Sequence, residues 1–350
     1  MRLRLRPLLV LGTVAAIVLA GCTAQPAPKP EPTMSESDAV TPTPTPTAEP
    51  IATPEPAFDV TCDDVAAEMS ALFGEPSSPV EPVLSVVSTM SWIPGPAQYM
   101  FQQVGGIACT AGEEADRRWE VTIVPDAQTV IEGATERQGY WGEQAGCVEG
   151  ICTFEFPDGD VLLSATVFEP GIAADETARV DEAMRRLAAD AAATLRDVEH
   201  IDSDIVGAPC ERYITEQQVN EQFGVSDATL YTDFGGWGIP AEIYHVANGA
   251  RICMYRTSAG EYEGPTYLLL TALPGGAWAF EQQAGDPATV EGADAAKTST
   301  GEHGESFLDV QVGGDWIRLV TYDDGSGAAD PTPSAESVVR NLTVGQPAPQ

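Results

Sequence analysis

Between residues 62 and 342 the sequence passes twice through one order of signals, and this recurrence limits the fold more than any other feature. Cys62 opens a helical stretch that closes at Phe73-Gly74, and Cys210 opens another that closes at Phe223-Gly224. A glycine after the last periodic residue is a helix-end signal. Trp92-Ile93-Pro94 precedes one strand and Trp237-Gly238-Ile239-Pro240 another. Gly105 and Gly249 each stand four residues before a cysteine, Cys109 and Cys253. A second strand follows in each half, over 119–124 and 267–273, and each ends at a proline, Pro125 or Pro274. Glu132-Gly133-Ala134 then parallels Glu291-Gly292-Ala293. A hairpin comes next, over 154–168 around Asp158-Gly159-Asp160 and over 307–322 around Gly313-Gly314-Asp315. Such turn pairs between apolar residues are strong hairpin signals. Each half ends in a helix. In the first, Val180, Met184, Leu187, Ala191 and Leu195 recur at helical spacing. The second is short, over 334–342, with Ser334 as its N-cap.

The pattern predicts an α+β protein: a tandem duplication of a domain that lays helices on an antiparallel sheet, with domains at 58–200 and 201–345 and the join between Val198 and Val206. Each unit reads helix, two strands, an irregular stretch, two strands, helix. Six cysteines allow 15 pairings, and spacing alone selects none. The repeat does. Cys62 and Cys210 share a place at a helix start, Cys109 and Cys253 share a place at a strand end, so Cys62–Cys109 and Cys210–Cys253 are the equivalent bridges. Cys147 and Cys152 flank a short turn with no counterpart in the second half and are expected to staple it. A redox-active pair is the alternative, but the two-residue spacing and cationic neighbours that lower a thiol pKa are missing.

The N-terminal residues supply an address. Arg2, Arg4 and Arg6 precede an apolar run over 8–19, too short to span a bilayer comfortably. Leu19-Ala20-Gly21-Cys22 then resembles the lipobox of bacterial lipoproteins. The resemblance implies a signal peptide over 1–21, cleavage before Cys22, a diacylglycerol thioether on its sulfur, and further acylation of palmitate type on the new amine. Two or more acyl chains suffice for stable anchoring at the outer face of the cell membrane. Residues 22–57 read as a disordered tether. The run from Thr41 to Thr47 alternates Thr and Pro, which favours extended polyproline II, and it can carry sugars. The lipobox, the tether and the two-cysteine units together resemble cell-envelope lipoproteins of high-GC Gram-positive bacteria. The resemblance rests also on Cys109 and Cys253 in strands, each followed shortly by an aromatic, and on Val290-Glu291-Gly292-Ala293-Asp294 before the last hairpin. The likeness implies a fold and no particular activity.

The chain carries 17 basic and 53 acidic residues, a net −36. Loss of the three leader arginines leaves 14 against 53, or −39. Such a surface repels phosphate backbones, which excludes nucleic acid as a partner, and allows cationic or basic ones.

The chemistry-bearing residues are sparse. The three histidines are His200, His245 and His303, none of them inside the first unit, so no histidine site is duplicated. Nucleophile-elbow, zinc-protease, phosphate-loop and β-lactamase signatures are missing. His303 between acids reads as an exposed loop, and Asp323-Asp324-Gly325-Ser326-Gly327 reads as turn chemistry; neither predicts a metal, and no cofactor is implied. The sharpest binding candidates are aromatic: Tyr231, Phe234, Trp237 and Tyr244 among glycines, with Trp92 and Tyr99 in the matching region of the first unit. They can stack on a ligand or cap the core. The sequence thus predicts a non-enzymatic, membrane-anchored extracytoplasmic lipoprotein that binds a partner protein, a wall component or a small ligand. The alternatives are a hydrolase with an unrecognised site and a purely structural envelope lipoprotein.

Overall fold

The structure is a computed structural model, and it describes residues 52–82, 95–113, 117–169, 172, 174–199, 202–231, 238–258, 264–301, 304–322 and 328–344. Residues 49–350 form one compact unit. The leader, Cys22 and nearly all of the tether lie outside the described residues. Ala57, read as tether, belongs to the fold: it is fully buried, its N–H donates to the Gly105 carbonyl, and its own carbonyl accepts from Arg196. No helix among the described residues is long and apolar enough to cross a membrane.

In the first half α1 (Cys62–Phe73) begins at a Thr61–Asp64 capping box and ends at Gly74. Strands β1 (Glu81–Pro82), β2 (Ile107–Gly112), β3 (Arg118–Pro125), β4 (Gln144–Val148), β5 (Ile151–Asp158) and β6 (Val161–Phe168) follow. Between them lie a 3-10 turn (Pro96–Tyr99), α2 (Met100–Gln103) and α3 (Ala127–Glu136), and α4 (Ala174–Ala193) closes the half. The second half has α5 (Cys210–Tyr213), α6 (Glu216–Phe223), β7 (Ala228–Tyr231), α7 (Ile239–Glu242), a π-helical turn (Ile243–Ala247), β8 (Arg251–Thr257), β9 (Thr266–Leu273), α8 (Ala277–Phe280), β10 (Asp286–Ala288), β11 (Ala295–Thr300), β12 (Ser306–Val312), β13 (Asp315–Thr321) and α9 (Thr332–Thr343).

Helices and two antiparallel sheets make this an α+β chain. Read from the β1 and β7 edges, the strand orders are β1-β2-β3-β6-β5-β4 and β7-β8-β9-β13-β12-β11-β10. The registers correspond as well. Cys109 pairs with Val121 and Cys253 with Leu270. One row across the first sheet is Ala108, Thr122, Ser164, Glu155, and its counterpart is Ile252, Thr271, Arg318, Asp309.

All three expected disulfides form: Cys62–Cys109, Cys147–Cys152 and Cys210–Cys253. Other expectations need correction. The strands of each half exceed four, because short edge strands escaped the pattern. The helix opened by Cys210 is two helices, split where Ile214 is extended and Thr215 starts a new capping box. The last helix begins at Thr332, so Ser334 is a buried residue of its first turn and not its cap. Glu132-Gly133-Ala134 lies within α3, whereas Glu291-Gly292-Ala293 lies in the turn between β10 and β11, so that match is not structural.

Each sheet buries one face under its own helices. Val180, Met184, Leu187 and Ala191 of α4 pack with Trp119, Val121, Phe154 and Leu163. In the second half α5, α6 and α9 cover Cys253, Leu268, Leu270 and Leu319. The opposite faces turn inward onto a third cluster that draws on both halves, with Met100, Phe101, Val124 and Leu162 against Ile239, Tyr244, Ile252 and Leu269. Both halves contribute contacts across it. The first half's 3-10 turn packs on β9, β13 and α8, and the second half's α7 packs on α3. Trp278 Nε1 donates to Gln103 Oε1 at 2.6 Å, and Asn248 Nδ2 donates to the Met100 carbonyl at 3.1 Å.

The paired rows differ in charge. Asp309 is neutralised by Arg318, whereas Glu155, at the corresponding row position, has among the described residues the Ser164 hydroxyl at 3.5 Å and no cation. Burial pushes the Glu155 carboxyl up to about 7, and the Ser164 contact opposes this. The folded protein therefore holds a proton that the unfolded chain releases, and its stability falls as pH rises from about 4.5 to 7. Glu155→Gln is expected to raise stability by on the order of 2–3 kcal/mol at pH 8 and to change it little at pH 4. Urea unfolding of both proteins at the two pH values measures this; equal gains at both would place the carboxyl in water.

Candidate functional site

Two clefts stand out, and their chemistry differs. The larger, about 730 Å³, is lined by Asp202, Asp204, Asp294, Asp315 and Arg212 among others. Two of its carboxylates already hold turns: Asp294 accepts from the Gly313 N–H at 2.6 Å and Asp315 from the Gly275 N–H at 2.8 Å. Among the described residues no group of three or more His, Cys, Asp or Glu is disposed to hold a metal.

The second cleft, about 460 Å³, lies where the halves meet. This volume falls in the range of small-molecule sites. The π-turn contributes His245 and Val246, α3 contributes Gly133, Glu136 and Arg137, and Tyr231, Leu230, Glu211, Arg251 and Ile252 complete the wall. Isolated π-turns recur at functional sites, because the extra residue re-aims a side chain. Gly133 permits the close approach of α3. A Cβ there would lie 2.6 Å from Val246 Cγ2 and 3.3 Å from Glu242 Oε2.

His245 is 7% exposed. Burial, then the charges of Arg137 and Arg251, push its pKa down to about 3, against a hydrogen bond to the Ala250 backbone that raises it. The imidazole is therefore neutral across the physiological range. Its Nε2 is buried and has no hydrogen-bond partner among the described residues. In the neutral ring Nε2 is an acceptor when Nδ1 carries the proton. Beneath it, fully buried Glu242 accepts from Arg137 Nε at 2.8 Å through Oε1, while Oε2 has no partner among the described residues. Burial raises the Glu242 pKa and Arg137 opposes the rise. A buried polar atom without a partner costs roughly 1–3 kcal/mol, so two together mark a place where polar chemistry is kept at the expense of stability.

Of the aromatic candidates, Tyr231 lines this cleft, with the Arg256 guanidinium 5.7 Å from its ring centroid. Tyr99 does not join it: it is 9% exposed, with its ring 5.7 Å from Trp278 and 5.5 Å from Trp316, a core position. Tyr244 is fully buried, its hydroxyl donating to the Ala272 carbonyl at 2.7 Å. Trp92, Phe234, Trp237, His200, His303 and the 323–327 turn lie outside the described residues.

In the sequence His245 is one of three histidines with no counterpart inside the first unit. A finer signal was present. Pro96-Ala97 to Cys109 and Pro240-Ala241 to Cys253 align without a gap, which sets His245 against Phe101, Glu242 against Gln98 and Asn248 against Val104. Phe101 and Val104 are core residues. Polar residues at the matching places of the second half single out this turn.

No protein-family model matches the chain, and neither a curated protein nor a solved structure is similar to it at a significant level.

Proposed function

We propose that the protein is a non-enzymatic envelope lipoprotein, anchored through Cys22 at the outer face of the cell membrane, whose duplicated α+β unit binds a small molecule in the cleft around His245. The duplication is supported by the common strand order, the common registers and the equivalent disulfides. The lipid anchor is supported by the leader and by Leu19-Ala20-Gly21-Cys22. The observation that carries the binding reading is the neutral, buried His245 whose Nε2 has no partner among the described residues, at the wall of a 460 Å³ cleft. Such an acceptor suits a ligand with a hydroxyl or N–H donor and an apolar body that lies on Leu230, Val246 and Ile252.

The test uses protein purified from native membranes. Native mass spectrometry is expected to find a bound small molecule that denaturation releases. His245→Phe, which installs the residue of the matching position, is expected to lose that molecule and to unfold about 1 kcal/mol later, since a buried polar atom is removed. Retention of the molecule by the variant, or none in the wild type, would refute the assignment. The anchor has its own check. Cys22→Ser is expected to abolish lipid labelling and detergent partitioning, and unchanged membrane retention would contradict it.

A further inference from the structure

The edges of the two sheets are finished differently. In the second sheet β10 covers β11 by antiparallel pairing of Asp286, Pro287 and Ala288 with Thr298, Lys297 and Ala296. At the matching edge of the first sheet β4 is last, and no strand lies beyond it among the described residues. Five large hydrophobic side chains are exposed among those residues, and three belong to this edge: Trp141 at 76%, Val148 at 74% and Ile151 at 47%. Edge strands are normally blunted by lysine, proline or a bulge. Residues 139–153 contain no Lys, Arg, His or Pro, and the β4–β5 register runs without a shift. The hairpin is also held rigid. Glu149 and Gly150 have φ of 52° and 86°, a tight primed-type turn, and Cys147 is bridged to its direct cross-strand partner Cys152.

We propose that β4 is a docking edge that takes an extended, basic and apolar segment of a partner protein as an added antiparallel strand. Backbone hydrogen bonds would supply the affinity, and alternate side chains on Val148, Ile151 and Trp141 the selectivity. A stapled hairpin lowers the ordering cost of such binding. Charge chooses the occupant. The exposed acids Glu143 and Glu149 flank β4, no cation lies on the hairpin, and the mature chain carries −39. A second copy is disfavoured, because the register that overlaps two β4 strands fully is centred on Gly146 and sets Glu143 opposite Glu149 of the other copy. The chain's own Thr-Pro run carries neither a cation nor a large apolar side chain and so does not match an acidic, apolar edge.

The experiment uses the full lipidated protein in detergent micelles and a capped synthetic peptide that alternates lysine and valine. Hydrogen exchange is expected to slow over residues 139–153 on addition of peptide, with salt-sensitive binding. Val148→Lys and Trp141→Lys, both at exposed positions, are expected to weaken binding by about tenfold or more, whereas Val344→Lys, exposed elsewhere, leaves it unchanged. Far-UV dichroism confirms that each variant is folded. Absence of protection at millimolar peptide overturns the proposal, as does protection that survives Val148→Lys. Equal binding of the glutamate-valine counterpart overturns the charge argument. A peptide-independent dimer that Val148→Lys dissolves would assign the edge to a second copy instead.

Discussion

Arg318→Ala is expected to lower the unfolding free energy by about 3–5 kcal/mol, the range for removing one partner of a buried ion pair. Asp309 is 0% exposed and Arg318 2%. The guanidinium is bidentate, Nε on Oδ1 at 2.8 Å and a terminal nitrogen on Oδ2 at 2.7 Å, and Trp316 Nε1 donates to Oδ1 at 2.8 Å. Deleting the cation leaves a fully buried carboxylate without its counter-charge. The surroundings are built around the arginine. Its guanidinium carbon lies 4.9 Å from the Phe307 ring centroid, and a Cβ on Gly95 would come within 2.6 Å of its Nε. The double variant Asp309→Leu/Arg318→Met removes both charges at similar volume and is expected to recover most of the loss. Urea unfolding of the two single variants and the double variant measures the coupling. A loss below about 1 kcal/mol for Arg318→Ala would mean that water reaches the pair, as at surface ion pairs.

The row that contains this pair also explains what the sequence disclosed and what it did not. The cysteine places, the hairpins and the α4 stripe were legible, because each rests on local chemistry: a cap, a turn or a 3.6-residue period. The edge strands were not. β4 reads Gln-Ala-Gly-Cys-Val and β11 reads Ala-Ala-Lys-Thr-Ser-Thr, and neither alternates clearly between apolar and polar. The central cluster was hidden for the opposite reason. β3 buries Val121 and Ile123 on one face and Thr122 and Val124 on the other, so its run of buried residues shows no period. A strand covered on both faces implies a second layer, and in this chain the other half supplies it. The polar residues of that inner face, Thr122, Glu155, Thr271, Asp309 and Arg318, look exposed in sequence and are buried by the pairing of the halves. The same holds for His245, whose meaning appears only when Phe101 is set beside it.

The shared cluster decides how the chain loses its structure when a disulfide is removed. The Cys62–Cys109 and Cys210–Cys253 bridges close loops with sequence separations of 47 and 43 residues. In the chain-entropy model each restricts the unfolded state by about 4 kcal/mol, whereas the Cys147–Cys152 bridge, with a separation of 5, contributes about 2. Cys62→Ala/Cys109→Ala and Cys210→Ala/Cys253→Ala are therefore expected to cost nearly the same, each about twice the cost of Cys147→Ala/Cys152→Ala. Independent halves would unfold in two steps, and each long-loop variant would shift only its own step. Met100, Phe101 and Leu162 of one half are buried with Ile239, Tyr244 and Leu269 of the other. Opening either half exposes the apolar surface of its partner. The two long-loop variants are thus expected to shift one common transition to lower temperature by similar amounts, with calorimetric and van't Hoff enthalpies in agreement. Two resolved transitions, with each bridge moving only one of them, would show that the central cluster does not couple the halves and that each closes its core alone.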